Sequence, residues 1–126
     1  MAIVVAEDLC GFVYEKGEES IPCKYQGAYG FSEGLAGVET EGRWGFINKD
    51  GEEIVPCKYE KVLNFSEGLA RVESEDRWGF INKDGEEIIP CKYENIFGFW
   101  NGNKTARAIL NGEWINIDKT GKQVTE

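Results

Sequence analysis

The sequence predicts an all-β tandem repeat: four β-hairpin or β-meander units of about 34 residues in a curved, solenoid-like array, with a closed ring or propeller-like arrangement as the alternative. Three observations predict it. The run RWGFINKDGEEI at residues 43–54 returns unchanged at 77–88. Residues 36–69 and 70–103 agree at 23 of 34 positions, and weaker copies start at Ala2 and Ala106, so repeats account for nearly the whole chain. Within each copy, apolar residues alternate at the period of a strand between glycine-marked turns. Units of this kind bury their apolar faces against their neighbours, so residues 1–126 read as one domain with units at 2–35, 36–69, 70–105 and 106–126.

The third unit shows the elements in order. Residues 69–73 alternate so that Ala70 and Val72 share one face while Arg71 and Glu73 share the other, which is the pattern of a half-buried strand. A turn at 74–76 leads to a second strand, 77–82, with Trp78 and Phe80 on one face and Gly79 and Ile81 on the opposite one. Asn82-Lys83-Asp84-Gly85 is a hairpin signal, because Gly85 can take the positive φ that closes a short loop. A third strand is expected over 87–91, limited by Pro90, which has no N–H to give a ladder. Residues 93–102, like 59–68 and 25–34, are read as connectors whose Tyr and Phe plug into the core between units. Trp44, Trp78 and Trp114 are expected as wedges between units, and the glycine after Trp44 and Trp78 as a point of close approach. Cys10 replaces the tryptophan in the first unit, as befits a terminal cap.

A chain of 126 residues can build a core without metals or disulfides. Cys23, Cys57 and Cys91 occupy one repeat position, each after proline or its equivalent context Pro-Cys-Lys-Tyr, and read as packed, reduced thiols. There is no histidine, no CxxC pair, no nucleophile elbow and no phosphate loop, so neither an enzyme nor a metal or other cofactor is expected. The N-terminus lacks the basic flank of a signal peptide and already matches a repeat, which leads to the expectation of a complete, cytoplasmic chain. The net charge of −9 is graded, from −4 over residues 1–35 to 0 over 106–126. Such a field repels nucleic acid and anionic membranes and favours a basic protein partner; solubility alone is the plainer reading.

The run WGFINKDGEEIVPCKYE, followed by NFSEGLARVE, closely resembles the bacterial WG repeat, also called the KWG repeat. That resemblance covers essentially the whole chain and implies a β-rich repeat scaffold generally taken to mediate binding, with no catalytic residues to carry over. Cys10 departs from the tryptophan, and Trp114-Ile115 lacks the glycine.

In a repeat array, departures from the pattern are the candidate contacts. The largest lies at Phe97, Trp100, Asn101 and Asn103, where Trp100 is either an exposed hot spot or a cover for the C-terminal end of the core. The second is an acidic edge formed by Glu39, Glu41, Glu73, Glu75 and Asp76, with Glu7 and Asp8 equivalent in the first unit. The expected function is a non-catalytic protein-binding module, most concretely an immunity-type protein that neutralises a basic toxin. A carbohydrate or cell-wall binding repeat and a purely structural scaffold are the alternatives. Open sheet edges would also permit a homodimer.

Overall fold

The structure, a computed structural model, describes residues 2–13, 19–97 and 104–124. These form four small antiparallel sheets and no helix. The first sheet contains β1 (Ala2–Ala6), β2 (Leu9–Val13) and β3 (Glu19–Tyr25). The second contains β4 (Gly27–Ala28), β5 (Leu35–Thr40), β6 (Arg43–Asn48) and β7 (Glu53–Tyr59). The third contains β8 (Lys61–Val62), β9 (Leu69–Ser74), β10 (Arg77–Asn82) and β11 (Glu87–Tyr93). The fourth contains β12 (Asn95–Ile96), β13 (Thr105–Leu110), β14 (Glu113–Asp118) and β15 (Gln123–Val124).

The segments expected as connectors supply a strand. Gly27 and Ala28 pair with Glu39 and Val38, and the flanking amides extend the ladder, with Gln26 N–H donating to the Glu39 carbonyl at 2.8 Å and Tyr29 N–H to Gly37 at 2.9 Å. The same bonds recur from Glu60 to Glu73 and from Leu63 to Arg71, and again from Glu94 to Ile109 and from Phe97 to Arg107. The tail of each repeat therefore becomes the first strand of the next sheet. The first sheet has no such strand among the described residues.

The third strand runs past the expected end at Cys91 to Tyr93, because Pro90 lies within a bulge and does not end the strand. Trp78 pairs with Tyr93, but Phe80 two residues on pairs with Ile89, so one strand gains extra residues and the missing proline N–H falls where no ladder bond is needed. The bulged backbone crosses directly over Gly79. A Cβ there would stand 2.2 Å from the Ile89 carbonyl oxygen and 2.8 Å from Cys91 N. Glu87 secures the bulge by accepting from Cys91 N–H at 2.9 Å, as Glu53 does from Cys57 at 3.0 Å. The four cysteines are free, and Sγ of Cys23, Cys57 and Cys91 each lies against a valine carbonyl, of Val4, Val38 and Val72, at 3.7 to 3.8 Å.

The sheets stack face against face. Phe12, Ile21 and Tyr25 of the first sheet enter a face of the second lined by Ala36, Val38 and Ile47. Phe46, Val55 and Tyr59 then enter Ala70, Val72 and Ile81. Phe80, Ile89 and Tyr93 enter Ala106, Ala108 and Ile117. Each internal sheet thus has a receiving face of small residues and a giving face of large ones, and buries both. The substantial contacts between sheets join consecutive sheets only, so the array is open. The wedges are these phenylalanines and tyrosines and not, as expected, the tryptophans. Trp44 and Trp78 are half-buried at the margin of the giving face, and Trp114 is 51% exposed. Trp44 lies over Gly27 of the added strand, where a Cβ would stand 3.0 Å from its ring, and it and Trp114 stack on Tyr29 and Phe97, the residues just past the added strands of their sheets.

Tyr59 is packed into this interface with its hydroxyl buried and outside bonding geometry to any partner. Burial, then the nearby Glu87 carboxylate, pushes its phenol from 10 up to about 12, and the same two causes push the Cys91 thiol from 9 to about 12. Both groups hold their protons longer folded than unfolded, so their contribution is complete below pH 9 and is lost as pH rises towards about 12. Tyr59→Phe is expected to raise stability at neutral pH by about 1 kcal/mol, by removing an unsatisfied hydroxyl, and to flatten the alkaline loss. Urea midpoints at pH 7 and in the alkaline interval measure both effects.

Candidate interaction surface

The hairpins β1–β2, β5–β6, β9–β10 and β13–β14 each close on two residues that both have positive φ, the requirement of a type I′ turn. They are Glu7 (52°) and Asp8 (65°), Glu41 (50°) and Gly42 (78°), Glu75 (52°) and Asp76 (64°), and Asn111 (52°) and Gly112 (80°). Asn-Gly is the pair this turn favours, and only the fourth turn has it. The added strand brings a further side chain to each of the last three turns. Gln26 accepts from Gly42 N–H at 3.0 Å, Glu60 from Glu75 N–H, and Glu94 from Gly112 N–H at 2.7 Å. Negative charge therefore gathers at the same corner of successive sheets.

The five acidic residues expected at this edge divide into two groups. Glu41, Glu75 and Asp76 sit in the turns, exposed, and their carboxylates make no hydrogen bond or ion pair among the described residues. Glu39 and Glu73 lie behind them, half-buried on the giving face, directly opposite Trp44 and Trp78 in register. Other left-handed glutamates do structural work. The Glu33 carboxylate accepts from Glu67 N–H at 2.7 Å and Gly68 N–H at 2.9 Å, with Lys83 Nζ at 3.6 Å. Burial is the largest single effect and opposes its charge, but those amides and Lys83 together outweigh it and hold its pKa below the ordinary value. Lys119 approaches Glu67 in the same way at 3.9 Å, so Glu33 and Glu67 tie neighbouring sheets together.

At the C-terminal candidate, Phe97 is 41% exposed and stacks on Trp114, with centroids 5.5 Å apart and planes at 10°. The Arg107 guanidinium stands 4.4 Å from the same indole. Trp100, Asn101 and Asn103 lie outside the described residues. Tyr29 occupies the position of Phe97 in the second sheet and stacks on Trp44 at 4.7 Å; Leu63 holds it in the third. This stripe of exposed Tyr29, Leu63 and Phe97 was not singled out from sequence, although its spacing of 34 residues was there to be read. Glu60 and Glu94 were missed for a different reason: their carboxylates reach the turns only because the connector folds back as a strand.

Stacked meanders, the last three completed by the tail of the repeat before, define a tandem β-repeat module. Residues 11–44, 44–78 and 78–114 match the family described as WG containing repeat, and the chain belongs to that family. The match bears out the resemblance carried by the Trp-Gly, Lys-Asp-Gly and Pro-Cys-Lys-Tyr runs. No curated protein and no solved structure matches.

Proposed function

We propose that the chain is a non-catalytic, cytoplasmic binding module whose acidic corner engages a basic protein, an immunity-type protein that masks a basic toxin being the most concrete form of that reading. One observation carries it. Glu7, Asp8, Glu41, Glu75 and Asp76 occupy left-handed positions that cost a side-chain-bearing residue about 1 kcal/mol each, and the fourth turn holds the favoured Asn-Gly in the same geometry. Unlike Glu33, the carboxylates of Glu41, Glu75 and Asp76 return nothing to the fold through hydrogen bonds. A strained position kept by a group with no structural bond is a mark of function.

The double substitution Glu75→Asn with Asp76→Gly separates the two roles. It is expected to stabilise the chain by about 1 kcal/mol in urea unfolding. It should also weaken retention of the partner when the tagged chain is used to capture proteins from its source lysate at low and moderate salt, with mass spectrometry as the readout. Equal recovery of the same basic protein by both forms would overturn the acidic-corner reading. A carbohydrate ligand is the second reading, favoured by the exposed Phe97–Trp114 stack, and it predicts recovery of no protein and quenching of Trp114 fluorescence by glycans.

A further inference from the structure

Among the described residues, the first sheet lacks the strand that completes the other three. Among them, β1 is paired on one side only, by β2, through Ala2–Val13, Ile3–Phe12, Val4–Gly11, Val5–Cys10 and Ala6–Leu9. This register reproduces that of β5 on β6, where Gly37 opposes Phe46 and Glu39 opposes Trp44. In the second sheet the outward carbonyls of Gly37 and Glu39 accept from the added strand, at 2.9 and 2.8 Å. Ile3 and Val5 stand at those positions, with their N–H and C=O groups on the outward side of an antiparallel ladder. The inward direction is fixed independently: the Val4 carbonyl meets Cys23 Sγ as the Val38 carbonyl meets Cys57 Sγ.

The edge carries none of the usual protection. No lysine, proline or bulge interrupts β1, and Val5 is 66% and Ile3 39% exposed. The molecule itself shows what fits such an edge, because it fills the equivalent one three times. The filling segments are Tyr25-Gln26-Gly27-Ala28-Tyr29, Tyr59-Glu60-Lys61-Val62-Leu63 and Tyr93-Glu94-Asn95-Ile96-Phe97. In each, the second residue caps the turn, the fourth packs towards the core and the fifth covers the outer face; Val62 and Ile96 are buried.

We propose that the open edge of β1 accepts an extended strand from another polypeptide, of the pattern Tyr-(Gln/Glu)-x-(Val/Ile)-(Leu/Phe), which pairs with β1 as β4, β8 and β12 pair with β5, β9 and β13. The occupant is a repeat tail and not a second β1, because β1 has neither the tyrosine nor the capping Gln or Glu. The acceptor also selects among tails. Lys61 pairs with Glu73, a charge match that Val5 cannot give, whereas Asn95 pairs with Ile109, an apolar residue like Val5. The tail of the third repeat is therefore the best template. Tyr29 is excluded at the fifth position of that template, since its ring fills the space over Gly37 that the Ile3 side chain occupies here: a Cβ on Gly37 would stand 2.9 Å from it. The edge borders the Glu7–Asp8 turn, which the second residue of the occupant would cap, but it involves none of Glu41, Glu75 and Asp76, so loss of the acidic-corner reading at those residues leaves its occupancy untouched. Main-chain bonds along a sheet edge provide affinity in this mode, and alternate side chains provide selectivity.

The test uses the full chain and the blocked peptide KYENIF, the sequence of residues 92–97. Amide hydrogen exchange is followed by NMR at peptide concentrations up to the millimolar range. Exchange at Val5, whose counterpart Glu39 pairs with Gly27 of the added strand, is expected to slow by about tenfold or more. N-methylation of the peptide's phenylalanine, whose N–H is the one that Phe97 donates to Arg107, should abolish the slowing. The N-methyl peptide leaves the protein untouched, so the result does not depend on the folding of a variant. Unchanged exchange at Val5, or slowing that survives N-methylation, overturns the proposal. So does a free chain that sediments as a dimer with Val5 already protected, since a second copy would then hold the edge.

Discussion

Gly79→Ala is expected to cost about 3 kcal/mol or more of stability, a loss out of all proportion to one methyl group. The added Cβ would lie 2.2 Å from the Ile89 carbonyl oxygen and within 2.8 Å of two further backbone atoms, so no side-chain rotation relieves it. The bulge must move. That displaces Ile89 and Tyr93, both of which fill the interface with the fourth sheet. Gly68→Ala is the control, because its φ of 81° disfavours alanine but nothing lies within 4 Å of the new Cβ. It should cost about 1 kcal/mol. Urea unfolding of the two variants measures the difference, and equal losses would refute the view that the Trp-Gly glycine is fixed by backbone crossing.

The second large effect is expected at Phe46→Ala, about 4 kcal/mol. Phe46 is fully buried and meets Phe65, itself 2% exposed, edge to face at 4.7 Å and 66°. Phe65 arrives from the loop between β8 and β9, so this contact joins the giving face of the second sheet to a loop of the third. Removing Phe46 leaves a void between two sheets that cannot close without shifting Val55 and Tyr59. Phe65→Ala should cost nearly as much, and the double substitution clearly less than the sum, because either change alone breaks the ring pair. Strict additivity would mean that the two rings stabilise separate parts of the molecule.

The long strands were legible because they have enough residues for alternation to show. Residues 77–82 fall on β10 without adjustment, and the Asn82 hairpin closes as its Asn-Lys-Asp-Gly run requires, with the Asn82 side chain accepting from Asp84 and Glu86 N–H. Two features were not legible, for physical reasons. Lys61–Val62 is too short to display a period, so a paired strand read as a connector. Pro90 argued for a strand end because a proline in a regular ladder forfeits a bond, whereas inside a bulge it forfeits nothing. The same bulge explains the glycine that sequence reasoning had marked as a close approach without knowing of what. At the candidate surface, alternation already put Glu73 on a strand and Glu75 and Asp76 in a turn, yet all were grouped as one acidic edge. Only the pairing register shows that Glu39 and Glu73 lie opposite Trp44 and Trp78, apart from Glu41, Glu75 and Asp76 in the turns.

The offset between the repeat of the sequence and the sheet of the structure governs how such a chain can lengthen by duplication. Every repeat hands its last residues forward and receives the last residues of the one before. A tandem copy of one whole period, wherever it begins, therefore adds one complete four-stranded sheet and leaves its neighbours whole. A copy of any other length leaves some sheet a strand short or a strand over. Between the second and third sheets the added strands fall 34 residues apart, at Gly27 and Lys61, and between the third and fourth again at Lys61 and Asn95. The third repeat, 70–105, is two residues longer than the second, and the extra length falls between Asn95–Ile96 and Thr105–Leu110 without altering how those strands pair: Asn95 faces Ile109 as Lys61 faces Glu73.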